Sequence, residues 1–213
     1  EDNLDPPLCT LLDDADALLD LHSYQSEGGA FCFIGTTSQA EIDYARALGV
    51  EHYIYGWAEA FSSSATEEQR LSSLGTTDYV RSNKRGGIAV TLECGNRHDP
   101  AVADVAYQGI IRALAHFEMI TPLPSSALPT QQCIHMQRVF YKEKAGKLAQ
   151  PWKHADWVKA GEILAMYDDG EVITAPADGA IVLPKTQTDH AIGAEWFYFG
   201  VATAFPSSRE GSS

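Results

Sequence analysis

Short apolar runs, each closed by a polar residue or a glycine, dominate the first 120 positions. Ala15 to His22 reads as a strand, buried in its middle and polar at its end, after a short helical stretch around Leu8 to Asp14. Ala30-Phe31-Cys32-Phe33-Ile34-Gly35 is a second strand-like run ending at glycine. Ser38 is placed to cap a helix through Ile42, Ala45 and Leu48 that Gly49 stops. Glu51 to Tyr55 reads as a third strand, and Ser62 to Thr66 as a polar loop. Thr76 or Thr77 starts a helix through Tyr79 and Val80 to Lys84, broken by Gly86-Gly87. Ile88 to Glu93 is rich in β-branched residues and reads as a strand. Asp99-Pro100 then offers an N-cap and a first-turn proline. The helix it opens carries Val102, Val105, Ala106, Ile110, Ala113, Leu114 and Phe117 at spacings of three and four.

Past residue 120 the pattern changes. Thr121-Pro122-Leu123-Pro124 through Pro129 is a Pro/Ser-rich connector. Short strand-like pieces follow at Arg138 to Tyr141, Ile163 to Tyr167, Val172 to Thr174 and Ala180 to Leu183, with Asp169-Gly170 and Asp178-Gly179 as turns. Alternating strands and helices predict an α/β layer fold over residues 1–120, then a linker at 121–130 and a small β domain over 131–213. The tail from Pro206 is predicted to fray.

Composition narrows the classes. The 213 residues are 45% hydrophobic, which suits a packed core and argues against disorder. No apolar run is long enough to span a membrane. With 15 Lys+Arg against 29 Asp+Glu the net charge is −14, which argues against a nucleic-acid binder. Twelve of the acids, against Arg46 alone among the bases, lie in residues 1–60. Cys9, Cys32, Cys94 and Cys133 are widely spaced and read as reduced thiols of a cytoplasmic protein.

Two places invite chemistry. Asp20-Leu21-His22-Ser23 ends a strand, where ligands collect in open α/β sheets. His22 there is either a metal ligand oriented by Asp20 or a hydrogen-bonded strand-end histidine. Glu93 follows four residues of buried-strand character, and burying a carboxylate is costly unless it is paired. It reads either as a general base or as a solvent-facing strand tip. Together the two fit zinc hydrolysis, which needs about three protein ligands. Yet none of the seven histidines begins an H-x-x-E, H-x-x-H or H-E-x-x-H motif. Arg97 and His98, just past Glu93, are candidates for touching substrate, with a solvated loop as the alternative. Tyr198 is either a lid residue or a packed aromatic.

The order of Asp20-Leu21-His22-Ser23, Gly87-Ile88-Ala89-Val90-Thr91-Leu92-Glu93-Cys94-Gly95, Gly161-Glu162-Ile163-Leu164-Ala165, Ala175-Pro176-Ala177-Asp178-Gly179 and Glu195-Trp196-Phe197-Tyr198 resembles the succinylglutamate desuccinylase/aspartoacylase family, relatives of the zinc carboxypeptidases. The resemblance runs from about residue 8 to about residue 200. It implies a carboxypeptidase-like mixed sheet with flanking helices, followed by a β domain. It also implies hydrolysis of the amide of an N-acyl amino acid or similar small acylated amine. Within it His22 matches a zinc ligand, and Glu93 the general base that activates zinc-bound water, with one Zn2+ per full-length protomer.

The family's H-x-x-E ligands and its substrate-gripping Asn-Arg motif precede the D-L-H strand, and neither occurs ahead of Asp20 in this sequence. The expectation is therefore an N-terminally incomplete catalytic domain, inactive alone, whose full-length parent is a deacylase. Exposed sheet edges favour a homo-oligomer. Two other classes stand beside this reading. One is a non-catalytic binding or regulatory remnant. The other is a biotinyl/lipoyl-like carrier, disfavoured because its hairpin, Tyr167-Asp168-Asp169-Gly170-Glu171, has no lysine.

Overall fold

The computed structural model describes residues 6–36, 38–64, 76–84, 86–121, 129–187 and 189–206. The chain opens with α1 (Pro6–Asp14), β1 (Ala17–Tyr24), β2 (Phe31–Ile34), α2 (Gln39–Ala47), β3 (His52–Tyr55) and α3 (Trp57–Ser64). A single helical turn, α4 (Thr77–Tyr79), runs into a π-helical turn at Val80–Lys84, and then come β4 (Ile88–Asn96) and α5 (Val102–His116). The remainder is β: β5 (Gln132–Tyr141), β6 (Gly146–Leu148), β7 (Asp156–Val158), β8 (Ile163–Tyr167), β9 (Val172–Thr174), β10 (Gly179–Val182) and β11 (Glu195–Thr203). No helix among the described residues is long and apolar enough to cross a membrane.

Eight strands form one mixed sheet in the order β1-β4-β2-β3-β5-β11-β10-β7, and β6-β8-β9 form a second. Parallel pairs are β1 with β4, β2 with β3, and β3 with β5. The rest are antiparallel. This is the α/β layer fold that the pattern predicts, in the form of the carboxypeptidase-like mixed sheet with flanking helices that the resemblance implies. The large sheet continues without a break from the strands before residue 121 into those after residue 129, through the pairing of β3 with β5.

Side chains alternate across the pleat, and the alternation sets two cores. Phe31, Phe33, Ile54, Ile134 and Met136 face α3 and meet Val182, Leu183 and Tyr198. Cys32, Ile34, Tyr53, Val90 and Leu92 face the opposite way, under Ile42, Tyr44 and Ala45 of α2 and Val102, Val105 and Ala113 of α5. A third cluster around Leu164, Trp196, Phe197 and Phe199 fills the space between the two sheets. None of the four cysteines forms a disulfide, and Cys32, Cys94 and Cys133 are buried. Burial raises their thiols, to about 11 for Cys94 and about 12 for Cys133.

Some local expectations shift. Ser62, Ser63 and Ser64 close α3 instead of forming a loop, while residues 65 and 66 lie outside the described residues. The long helix begins at Val102 with Ala101 as its N-cap residue. Asp99 sits too early to cap it: its Oδ1 accepts from the Ala101 N–H at 2.9 Å, so the carboxylate is spent on a local turn. The aromatic run at 195–199 is part of a nine-residue strand that the sequence pattern did not mark. Residues 122–128 of the connector and 207–213 of the tail lie outside the described residues.

Candidate active site

Parallel pairing brings the two singled-out residues side by side. Asp20 pairs with Thr91 and His22 with Glu93, at the carboxyl ends of β1 and β4. Neighbours in register share a face of a sheet, so Asp20, His22, Thr91 and Glu93 all open into one cavity of about 470 Å³. Phe33 from β2 and Trp57 from α3 give that cavity its apolar wall. Gly56, just before Trp57, lets the chain enter α3 close against His135 and Met136 of β5. Its φ is +89°, and a Cβ there would lie 2.5 Å from the His135 ring. The turn at Thr76, Thr77 and Asp78 closes the side near Asp20, and the Thr77 hydroxyl donates to Asp20 Oδ2.

His22 lies between two carboxylates. Its Nε2 is 3.0 Å from Asp20 Oδ1, and its Nδ1 is 4.0 Å from Glu93 Oε1. The hydrogen bond to Asp20 is the largest of the effects that raise the imidazole pKa. The same bond lowers the pKa of Asp20, against an opposing desolvation. Glu93 is buried, and desolvation raises its pKa above the ordinary carboxylate value. The positive charges of His22, Lys185 and Arg97 partly offset that rise. Glu93 Oε2 is a buried acceptor with no donor among the described residues. The cavity is acidic, since Glu59 and Asp78 line it together with Asp20 and Glu93, and no Lys or Arg is among its described lining residues.

The other singled-out residues lie elsewhere. Arg97 and His98 are exposed beyond the end of β4. There the Arg97 N–H bonds to the Tyr24 carbonyl, and the His98 N–H to Asn96 Oδ1. Tyr198 is buried on β11 against Trp57, with ring centroids 5.1 Å apart, and its hydroxyl donates to the Glu195 carboxylate. It stands one aromatic layer behind the cavity wall. Trp57 and Asp78 escaped the sequence reading, and Thr77 entered it only as a candidate helix start, because short helices carry too little periodic signal to show which side chains meet a distant strand end.

The donor set offers a metal one strong ligand. Among the described residues no group of three His, Cys, Asp or Glu is arranged to hold an ion. The hydrogen bond to Asp20 leaves His22 Nδ1, on the Glu93 side, as the ring nitrogen able to ligate. Such a set fits a zinc centre completed by ligands from beyond the described residues, and does not fit one closed within them.

Solved structures decide the fold. A succinylglutamate desuccinylase/aspartoacylase from Rhodobacter sphaeroides superposes with a TM-score of 0.70 at 14% identity, over 94% of this chain and 62% of that one. The chain has the succinylglutamate desuccinylase/aspartoacylase fold. The product-bound ectoine utilization protein EutE (DoeB) from Ruegeria pomeroyi gives a TM-score of 0.67 at 19% identity, over 91% of this chain and 60% of that one. Succinylglutamate desuccinylase from Vibrio cholerae gives 0.61 at 16% identity, over 91% and 56%. Thus the chain carries the desuccinylase/aspartoacylase fold over nearly its whole length, while spanning about 55–62% of the structures it matches. No protein-family model matches it, and no curated protein matches it.

Proposed function

We propose that this chain is part of a zinc-dependent amide hydrolase of the succinylglutamate desuccinylase/aspartoacylase family. Its substrate class would be an N-acyl amino acid or similar small acylated amine. The observation that carries the reading is the register of β1 with β4, which sets His22 beside the buried Glu93 over a small-molecule-sized cavity. The names of the structural neighbours agree with it.

His22 would hold the metal through Nδ1, with Asp20 fixing the ring by accepting from Nε2. The chemistry that zinc supplies in such a site is Lewis-acid polarisation of the scissile carbonyl and acidification of water. Glu93 takes a proton from the attacking water at Oε1, the oxygen facing His22, and passes it to the departing amine. Its raised pKa suits that exchange, because a base too weak to hold the proton could not deliver it. Phe33 and Trp57 shield the reacting carbonyl from bulk solvent. The acidic lining favours an emerging ammonium, and its described residues offer no cation to a substrate carboxylate. That contact and the remaining zinc ligands would come from the rest of a longer parent protein.

The test is a pair of measurements. In the full-length parent, Glu93→Gln is expected to lower kcat/KM on an N-acyl amino acid by roughly 10²- to 10⁴-fold with zinc content unchanged. Undiminished activity would overturn the role of Glu93. The 213-residue chain alone is expected to hold well under one equivalent of zinc and to show no amidase activity. An equimolar metal content with turnover would overturn that half of the reading.

A further inference from the structure

A second pocket, of about 280 Å³, shares no described lining residue with the cavity at β1 and β4. Three lysines line it: Lys142 just after β5, Lys147 in β6 and Lys185 after β10. Gln150, Gln187 and Trp196 complete the recognition surface, and no carboxylate is among its described lining residues. In a chain with 29 acids and 15 Lys+Arg, three lysines meeting without an acid is the opposite of what average composition supplies.

Lys142 makes the case sharper. It is 5% exposed, and its Nζ donates to the His190 carbonyl at 2.9 Å and lies 5.7 Å from the Trp196 ring centroid. Both partners are neutral, and an ammonium carries three donors. Elsewhere in the same β region each lysine that forms an ion pair has its acid at hand: Lys144 pairs with Asp169 and Glu171, and Lys159 with Asp178. Among the described residues no carboxylate pairs with Lys142, Lys147 or Lys185. A buried cation without a counter-charge is costly, and a bound anion removes that cost.

We infer that this pocket binds a small oxyanion, a carboxylate or a phosphate. Lys142 forms its floor, Lys147 and Lys185 close over it, and the Gln150 and Gln187 amides supply neutral donors. The volume suits a small molecule, and Lys142 and Lys147, unlike Lys185, are not among the charges that act on Glu93.

The test titrates the folded 213-residue chain with sodium phosphate and, separately, sodium acetate, against sodium chloride at matched ionic strength. Calorimetry and the thermal midpoint report binding. The expected result is saturable 1:1 binding of one of the two, with a rising midpoint. Saturation by phosphate alone identifies a phosphate site, and saturation by acetate alone a carboxylate site. Lys142→Gln is expected to weaken binding at least tenfold. Since that residue is buried, the exposed Lys147→Gln serves as the second variant, with the same expected direction, and Lys159→Gln is expected to leave affinity unchanged. A response no greater than that of chloride, or full affinity in both pocket variants, would overturn the inference.

Discussion

His154 is a histidine from the β region buried among residues of the first half. Its ring stacks on Phe31 with centroids 3.9 Å apart and planes 16° apart, and it packs against Tyr24. Nδ1 accepts from the Leu183 N–H at 3.4 Å, while Nε2 has no partner among the described residues. Gly28 lets the ring in, since a Cβ there would lie 2.7 Å from the His154 Cβ. Burial, aided by the nearby His52, pushes the imidazole pKa down from 6.5 to about 3. The unfolded chain therefore takes up a proton between those limits that the folded chain refuses. The stability is intact above pH 6.5 and falls as pH drops toward 3. Between pH 7 and pH 5 the loss is expected to be about 2 kcal/mol. Denaturant melts of the chain and of His154→Phe at both pH values check it, the difference between the two proteins isolating this group. A pH response equal in both would show that His154 plays no part.

At the scale of elements, α2 shows a cap tied to a buried carboxylate. Ser38 Oγ accepts from the Glu41 N–H at 3.3 Å. The Glu41 side chain is fully buried and turns back to accept from the N–H groups of Gly35 and Thr36 at 2.6 and 2.8 Å. Ser38→Ala is expected to cost about 1 kcal/mol. Glu41→Ala is expected to cost more, about 3 kcal/mol, because it strands two N–H donors and opens a cavity. Chemical denaturation of the two variants checks the ranking. The serine cap was legible in the sequence, as were β2, β3 and the middle of β4, because apolar runs bounded by glycine or polar residues leave few alternatives. The destination of the Glu41 carboxylate was not legible, since nothing in local periodicity says which loop a buried acid will satisfy. The same limit applies at the site. His22 and Glu93 were each suspect as polar residues ending apolar strands, but their contact depends on a pairing between strands far apart in the chain. Motif order suggested it where spacing could not. β11 was missed for a related reason: buried from Trp196 to Gly200, it shows no alternation along that run.

At the scale of the molecule, one sheet spans what the composition divides. Phe33 and Ile54 share a core with Ala180, Val182 and Tyr198, so residues on either side of the Pro/Ser-rich connector are buried together. The chain is accordingly expected to unfold in a single cooperative transition, with tryptophan fluorescence and far-ultraviolet circular dichroism tracing one curve. Two separated transitions would show that the shared core does not couple the parts. The parallel ladders that join them also govern how fast the structure can form. β1 must find β4, and β3 must find β5, across long intervening stretches of chain. The entropy of closing those loops is spent before any ladder repays it, so refolding belongs to the slow end of the range, milliseconds to seconds or longer. During that interval the apolar strands Phe31–Ile34 and Ile88–Asn96 stand unpaired, which makes dilution and low temperature the conditions under which this chain refolds in best yield.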